Sequence, residues 1–461
     1  MSPVRLLSAL SAAALLFAAG CSGGGSDSST AQPQVPQPTG TLEVIHASPD
    51  APDVDVRVAG LEIAGSVPYK GVRVSAYEVG DYPIEVVGNV PGGDVTVIPA
   101  AGQAAPTVTI GEDQRVTVVA AGEVAGIAPI VLTDSPPAIA DDEVRLRVLH
   151  AAPAAPAVEV YVTAPGDPLG APLGTFAFGE TLTPDAVVVP EGAYRIRVAL
   201  PGSPSTVVYD SGAIELPGGA DLLVAAVASI TTGASPVSLL ATTGSTTLEF
   251  LDVDTPSDVR VVHASPDAPN VDVVANDDFA SRPVVDLAFG TGTDYLGLPP
   301  GDINVKVVPT GADAPVVIDA DLTLAQGTSY SVYATGLLAD IAPLVLVDDT
   351  RRVATEARVR ILHASPSAGA VDIYVVPGGT GGDLSSAAPA FSGVPFLADT
   401  GYVELAPGSY DVVVTGAGST VPAIGPVTLT LDGGGLYTAA AIDQVNGGVP
   451  PTLLLLDDLA P

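Results

Sequence analysis

The sequence predicts an all-β protein in which four tandem antiparallel β-sandwich domains follow a signal peptide and a flexible tether. Three observations lead to this prediction: a motif that recurs four times, strands of alternating hydrophobicity within each repeat, and an apolar leader that ends at a cysteine. The composition agrees, because 50 glycines, 44 prolines and only 5% aromatic residues among 461 favour a turn-rich β protein over long helices.

The first 20 residues have the features of a secretory signal peptide. Arg5 precedes an apolar run over residues 6–19, which is shorter than the roughly 20 residues that a membrane-spanning helix needs. Cys21, the single cysteine, follows directly, and the stretch LFAAGC resembles the lipobox of bacterial lipoproteins, although Ala18 stands where that family usually has leucine. The resemblance implies cleavage before Cys21 and its lipidation; the alternative is an ordinary signal peptide followed by a cysteine without that role.

Residues 21–40 are predicted to be the lipidated cysteine and a disordered linker. A Gly/Ser-rich segment is flexible, and the Pro/Gln-rich segment that follows it is stiffer. Ser22 rather than an aspartate follows the cysteine, which resembles the lipoprotein pattern for export to the outer membrane of a host with two membranes. We therefore expect an exported, membrane-anchored lipoprotein at the outer membrane or the cell surface.

The rest of the chain is an internal repeat. Four segments align: LEVIHASPDAPDVDV, LRVLHAAPAAPAVEV, VRVVHASPDAPNVDV and VRILHASPSAGAVDI, and all four histidines share one position in them (His46, His150, His263 and His363). Their spacings of 104, 113 and 100 residues suit one small β domain per repeat. We predict repeat 1 at 41–135, repeat 2 at 144–247, repeat 3 at 257–350 and repeat 4 at 357–461, separated by polar joints at 135–143, 246–258 and 348–357.

Each repeat has a second landmark, a strand that begins at a glycine. The four versions, GDYPIEV, GAYRIRV, GDINVKV and GSYDVVV, begin at residues 80, 192, 301 and 408, and their apolar residues alternate with a period of two. A pair of apolar runs with the character of a hairpin closes the repeat, for example 115–120 with 127–132. Seven or eight such short strands per repeat are typical of a sandwich of two antiparallel sheets.

The HASPDAP-x-VDV opening, the G-x-Y-x-V-x-V strand and the closing apolar strand resemble the bacterial family named domain of unknown function 4397. The resemblance extends over nearly the whole mature chain as four tandem copies, and repeats 1 and 3 match best. It implies an exported or surface-attached protein with an immunoglobulin-like β fold. It implies no particular chemistry, because the family has no assigned activity.

The repeated histidine has two interpretations, and the first is structural. His263 is predicted to lie on the same face of its strand as Val259 and Val261. Arg260 lies on the opposite face, which is predicted to be the outer one. We expect the histidine to lie at the edge of the core with one ring nitrogen bonded to the backbone of the following turn. The same role is predicted for His46, His150 and His363.

The second interpretation is a metal site in repeats 1 and 3. Asp50 and Asp53 follow His46, Asp267 and Asp272 follow His263, and carboxylates beside a carbonyl-rich turn are the ligands that Ca²⁺ prefers. Repeats 2 and 4 keep the histidine but lack the acidic residues of the turn, which favours the structural interpretation. We therefore expect no cofactor; the alternative is Ca²⁺, ahead of a transition metal.

The charge and the motifs exclude several function classes. Acidic residues outnumber basic ones 52 to 16, for a net charge of −36, which argues against binding to nucleic acid or to anionic lipid. No nucleophile elbow or phosphate-binding loop occurs, so we expect no catalytic residues and no enzyme.

We therefore expect a surface spacer, an adhesion protein or a ligand-binding protein, whose partner is an unidentified protein or glycan. Arranged in a row, four domains of roughly 40 Å each would project on the order of 150 Å. The alternatives are an envelope hydrolase with one active repeat and an adhesion rod stiffened by Ca²⁺.

Overall fold

The structure is a computed structural model that describes residues 37–182, 186–244, 246–381 and 383–458. The predicted signal peptide, Cys21 and most of the linker lie outside these residues. None of the described residues is α-helical, and two short 3₁₀ turns occur at Val124–Gly126 and Leu338–Asp340. Within the described ranges, no helix has the length and hydrophobicity of a membrane-spanning segment. The all-β prediction is confirmed.

Repeat 1 contains nine strands, and so does repeat 2 when the joint after it is included. Those of repeat 1 are β1 (Thr39–Ala47), β2 (Val54–Val58), β3 (Leu61–Val67), β4 (Val72–Glu78), β5 (Gly80–Gly88), β6 (Val95–Ile98), β7 (Thr107–Ile110), β8 (Arg115–Ala121) and β9 (Ala128–Asp134). Repeat 2 and the joint after it contain β10 (Glu143–His150), β11 (Val158–Thr163), β12 (Gly174–Phe176), β13 (Val187–Pro190), β14 (Gly192–Leu200), β15 (Ser203–Leu216), β16 (Ala220–Ala228), β17 (Val237–Thr242) and β18 (Thr247–Phe250).

The last two repeats contain nine and eight strands. Repeat 3 contains β19 (Ser257–Ala264), β20 (Val271–Ala275), β21 (Val284–Leu287), β22 (Thr291–Gly292), β23 (Leu296–Leu298), β24 (Gly301–Pro309), β25 (Ile318–Leu324), β26 (Ser329–Thr335) and β27 (Ala342–Asp348). Repeat 4 contains β28 (Ala357–Ala364), β29 (Val371–Pro377), β30 (Phe391–Val394), β31 (Asp399–Leu405), β32 (Gly408–Gly416), β33 (Pro422–Leu431), β34 (Leu436–Ile442) and β35 (Thr452–Asp457).

Each repeat forms two sheets. The first sheet contains the histidine strand, with the orders β4-β1-β8-β9, β13-β10-β16-β17-β18, β22-β19-β26-β27 and β31-β28-β34-β35. The second sheet contains the glycine-initiated strand, with the orders β3-β2-β5-β6, β12-β11-β14-β15, β21-β20-β24-β25 and β30-β29-β32-β33. Pairing is antiparallel except that each histidine strand runs parallel to the first strand of the closing hairpin, as β1 does with β8.

A hydrophobic core lies between the two sheets of each repeat. In repeat 1, for instance, β2 alternates between buried and half-buried residues, and Val54, Val56 and Val58 join Val44 and Val116 in the core. The glycine-initiated strands begin where the sequence predicts, at Gly80, Gly192, Gly301 and Gly408. Period-two alternation thus supplies the inner face of both sheets.

The polar joint predicted at 246–258 contains a strand. Thr247–Phe250 forms β18, which pairs antiparallel with β17 and places Phe250 against the core of repeat 2. The Tyr209 hydroxyl donates a hydrogen bond to the Phe250 carbonyl at 2.9 Å. Four residues are too few to stand out as a strand in the sequence, and the segment is ordered by the sheet edge that it covers.

The first sheets of neighbouring repeats pack face to face, which corrects the expectation of an outer face beside each histidine. Ile45 and Val119 of repeat 1 form a cluster with Leu149 and Leu223 of repeat 2. Val262 and Tyr333 of repeat 3 meet Leu362 and Ala440 of repeat 4 in the same way. Alternating hydrophobicity shows which residues share a face of the strand. It does not show whether the second face is exposed to solvent or covered by another domain. Repeats 1 and 2, and repeats 3 and 4, are therefore packed pairs and not successive members of a row.

Candidate functional site

All four repeated histidines are buried and bonded to backbone on both ring nitrogens. Nε2 lies 3.0–3.1 Å from the carbonyl oxygen six residues later, contributed by Pro52, Pro156, Pro269 and Gly369. Nδ1 accepts the amide of the residue two positions later at 3.3–3.4 Å. Because Nδ1 accepts, Nε2 carries the proton, and one neutral tautomer satisfies both bonds.

The environments of His46 and His263 favour the neutral form of the imidazole. The pKa of His46 is lowered to about 4, chiefly by burial. The nearby Arg351 guanidinium also lowers this pKa, and the hydrogen bond to Pro52 raises it by a smaller amount. Burial also lowers the pKa of His263. A neutral imidazole with both nitrogens bonded to backbone has no lone pair left to act as a general base or a metal ligand.

An aromatic ring accompanies every histidine, and sequence reasoning missed it. Tyr69, Phe178, Phe289 and Phe396 each stand edge-on to their histidine, with ring centres 6.0–6.5 Å apart. The residue after each ring has a left-handed backbone, and its amide donates to the histidine carbonyl: Lys70, Gly179, Gly290 and Leu397. The signal in the sequence was the Phe-Gly pair of repeats 2 and 3, which aligns with Tyr-Lys and Phe-Leu in the others.

Asp50 and Asp267 hold the closing hairpin to the histidine turn. Asp50 accepts the amide of Val124, and Asp267 accepts the amide of Leu338, both at 2.7 Å. These two amides begin the 3₁₀ turns of repeats 1 and 3. The described residues of repeats 2 and 4 contain neither the acid nor a 3₁₀ turn, which explains why the acidic residues vary while the histidine does not.

Asp272, the second candidate acid of repeat 3, stabilises a β-bulge. Asp272 accepts the amides of Asp286 at 2.8 Å and Gly311 at 3.0 Å, and it forms an ion pair with Arg282. Although burial raises the pKa of Asp272, these donors outweigh it and lower that pKa to about 2. Asp286 has a left-handed backbone where β21 slips by one residue against β20.

Asp53, the other candidate of repeat 1, accepts the Ser66 hydroxyl at 3.1 Å, and Asp55 accepts the Ser66 amide at 2.8 Å. The four candidate acids therefore bind amides, a hydroxyl and an arginine of their own repeat. In the described parts of the chain, no group of three or more His, Cys, Asp or Glu side chains is placed to hold a metal ion.

A reciprocal charge network joins repeats 3 and 4. Arg260 pairs with Asp458 at 2.5 Å, and Arg360 at the aligned position pairs with Asp348 at 2.5 Å. Each guanidinium also lies over a tyrosine, Arg260 over Tyr295 at 4.9 Å and Arg360 over Tyr402 at 4.8 Å. Each tyrosine donates to the acid of its own repeat, Tyr295 to Asp348 at 2.6 Å and Tyr402 to Asp458 at 2.8 Å, and so holds the carboxylate that the arginine of the other repeat contacts.

All four charged side chains of this network are at least 97% buried. Burial alone lowers the pKa of Arg260 and Arg360, but the partner carboxylates outweigh it and raise both pKa values. Arg260, predicted to face solvent, instead lies at the centre of an interface with approximate two-fold symmetry.

Repeats 1 and 2 are joined by a different set of charges. Arg115 contacts Asp134 at 2.8 Å and Asp221 at 2.6 Å, and Arg145 contacts the same two carboxylates at 2.7 and 3.1 Å. Asp134 and Arg115 belong to repeat 1, whereas Arg145 and Asp221 belong to repeat 2. Each carboxylate is therefore shared between two arginines from different repeats.

The joint between repeats 3 and 4 contacts the histidine turn of repeat 1. Arg351 donates from Nε to the Pro49 carbonyl at 3.1 Å and from Nη2 to the Ala51 carbonyl, and Ala354 donates to the Asp50 carbonyl at 2.8 Å. Thr232 of repeat 2 donates to Asp258 of repeat 3. The two packed pairs thus touch each other, and a polar cleft of ≈ 620 Å³ opens between them beside Arg351 and Tyr295.

Neither the curated proteins nor the solved structures add to the description of this fold. A search of curated proteins found no match. Among solved structures, the Bacillus anthracis TIE protein is 9% identical, and the alignment covers 85% of this chain and 67% of that one with a TM-score of 0.16. That TM-score is too low to carry an argument about fold.

A family model matches two regions, residues 40–161 and 257–374, which together are more than half of the chain. Each match begins at the histidine strand of one repeat and extends into the second strand of the next, β11 in the first case and β29 in the second. The chain therefore belongs to the family described as domain of unknown function (DUF4397).

Proposed function

We propose that this protein is a non-catalytic, lipid-anchored protein of the cell envelope, whose β-sandwich repeats form a rigid scaffold for adhesion or ligand binding. The observation that carries the proposal is the use of the repeated residues. The four histidines, Asp50, Asp267 and Asp272 all bond backbone groups of their own repeat. Residues that recur for such reasons maintain a fold and leave the loops at the ends of the sandwich free to vary.

The interfaces between repeats support the scaffold part of the proposal. Arginine–carboxylate pairs that are buried and hydrogen-bonded fix one relative orientation of two domains, since removing either partner leaves a buried charge uncompensated. Lipidation at Cys21 would anchor the scaffold, and residues 22–40 would separate it from the membrane surface. The partner in this proposal is a protein or a glycan bound at the exposed loops or in the polar cleft.

The anchor is tested by expressing the full precursor and a Cys21→Ser variant in a bacterial host with a two-membrane envelope, supplied with an alkyne-labelled fatty acid. The proposal predicts label and membrane fractionation for the native sequence, and loss of both for the variant. A Ser22→Ala variant serves as the matched control and should keep the label. Equal fractionation of the native and Cys21→Ser proteins would remove the anchor from the account.

The non-catalytic part is tested separately, by assaying the purified protein against ester, peptide and glycoside substrates. The scaffold account expects no turnover above the background of a heat-denatured sample. Turnover that co-purifies with the protein and is lost on a single substitution would favour the hydrolase alternative.

A further inference from the structure

The sandwich of repeat 4 contains an apolar cavity. Its volume is ≈ 190 Å³, compared with ≈ 50 Å³ for the cavity at the same place in repeat 3 and ≈ 20 Å³ for one in repeat 2. The position is equivalent because Val359 and Ile361 line the cavity of repeat 4, and the aligned Val259 and Val261 line that of repeat 3. Protein interiors are otherwise close-packed, so a void of this size in one of several similar sandwiches requires an explanation.

The cavity has a buried floor and a half-exposed rim. The floor includes Val412, which is 2% exposed, and Leu431, which is 3% exposed. Half-buried residues surround the mouth, among them Phe391, Leu405 and Tyr410. This end of the space is therefore the one nearest to solvent.

The lining dictates the chemistry of an occupant. Every lining residue is aliphatic or aromatic, and the one polar side-chain atom, the Tyr410 hydroxyl, already donates to the Ala406 carbonyl at 2.9 Å. A charged or strongly polar molecule would lose its hydration there and gain no hydrogen bonds in return. A dry cavity of about 150 Å³ lined by such residues is large enough to hold benzene.

Repeat 1 shows how the same space is filled by the chain itself. Tyr77 pairs across the first sheet with Gly40, and Leu405 pairs with Ala357 at the aligned position. The Tyr77 ring packs on the Tyr82 ring with centres 5.0 Å apart. Repeat 4 retains the second ring as Tyr410 but has Leu405 in place of the first, so the Tyr77 ring of repeat 1 has no counterpart in repeat 4.

From this geometry we propose that repeat 4 binds one small, neutral, aromatic molecule of about the size of benzene between its two sheets. Phe391 and Tyr410 line the cavity, and contacts between aromatic rings favour an aromatic occupant over an aliphatic one of equal size. The inference is independent of the membrane anchor and of the partner bound at the loops.

The test uses the four-repeat protein and fluorobenzene as the probe. The proposal predicts saturable broadening of the ¹⁹F signal as protein is added, with one site per chain. Leu405→Tyr, which copies repeat 1, should weaken the affinity at least tenfold. Leu298→Tyr, the equivalent change in repeat 3, is the matched control and should leave the affinity within twofold of the unsubstituted protein.

Val412→Phe is a second variant that fills the cavity, because Val412 lies on its buried floor. Thermal unfolding without fluorobenzene shows whether each variant is folded, so loss of binding by a folded variant can be assigned to the cavity. Absence of saturable broadening with the unsubstituted protein overturns the proposal. So does equal binding by the unsubstituted, Leu405→Tyr and Val412→Phe proteins, or equal weakening by Leu298→Tyr.

Discussion

At the scale of single residues, the histidine turn depends on an imidazole that is neutral and bonded on both sides. The strand face on which His263 lies could be predicted from the sequence, because alternation is a local property. The predicted hydrogen bond between the ring and the backbone of the turn is formed with the Pro269 carbonyl. The aromatic partner Phe289 could not be assigned with the same ease, since the number of residues between histidine and ring differs from repeat to repeat. The contact is made by the sheet and not by a fixed spacing.

Replacing His263 by alanine should destabilise repeat 3 by about 1–3 kcal/mol, because the Pro269 carbonyl and the Ser265 amide lose a buried partner. Equilibrium unfolding in urea measures the change. Val285→Ala in the same repeat is the control, since Val285 is 63% exposed and its truncation should cost no more than about 0.5 kcal/mol. Equal midpoints for the His263→Ala and unsubstituted proteins would reject the structural role.

The lowered pKa of His46 predicts a pH dependence of stability. In the unfolded chain this histidine takes up a proton near pH 6.5, whereas in the folded protein its pKa is about 4. Between these values the unfolded state binds more protons, so stability is fully present above pH 6.5 and falls as the pH is lowered towards 4. The loss reaches roughly 3 kcal/mol for this group. Urea unfolding at pH 7.5, 5.5 and 4.5 measures it, and His46→Gln should flatten the profile; an unchanged slope would contradict the assignment.

At the scale of elements, short polar contacts decide where turns and bulges form. Asp267 accepts the amide that begins a 3₁₀ turn, and Asp272 supports a bulge by accepting the amides of Asp286 and Gly311. The sequence marked these acids as candidate metal ligands because they are close together in the chain. Closeness in sequence does not determine where side chains point, and strand alternation directs them to different backbone amides.

Asp267→Ala should destabilise repeat 3 by about 1 kcal/mol, as the loss of a helix-capping side chain does, because the Leu338 amide loses its acceptor. Asp267→Asn keeps an acceptor oxygen and should retain most of the stability. Calorimetric unfolding measures both, and adding millimolar Ca²⁺ should leave the melting temperatures unchanged. A rise in melting temperature with Ca²⁺ that Asp267→Ala abolishes would restore the calcium site.

At the scale of the whole molecule, the arrangement of the repeats was the part that sequence could not supply. Arg260 and Val262 share the strand face opposite His263, and a face with one arginine is the pattern of a solvent-exposed surface. The carboxylate that pairs with Arg260, Asp458, becomes recognisable only when repeat 4 is placed against repeat 3. The number and order of strands are local properties, whereas domain packing depends on complementary surfaces far apart in the chain.

Arg260→Met should cost about 3–5 kcal/mol, because it leaves the Asp458 carboxylate buried without its closest cation. Arg360→Met is the matched variant and should cost a similar amount through Asp348. Denaturant unfolding of these variants and of the Arg260→Met/Asp458→Asn double variant measures the coupling. Strictly additive effects would show that the pair does not hold the repeats together.

The central claim is that the repeats pack face to face into one scaffold, and small-angle X-ray scattering of a soluble Cys21→Ser protein without the signal peptide tests it most directly. A compact chain of this length has a radius of gyration of roughly 22 Å, and a disordered linker at residues 21–40, as predicted, would increase it to a value still less than about 30 Å. A row of four domains linked only by their joints would give roughly 40 Å or more. The packed arrangement predicts the smaller value, and the larger value would contradict it.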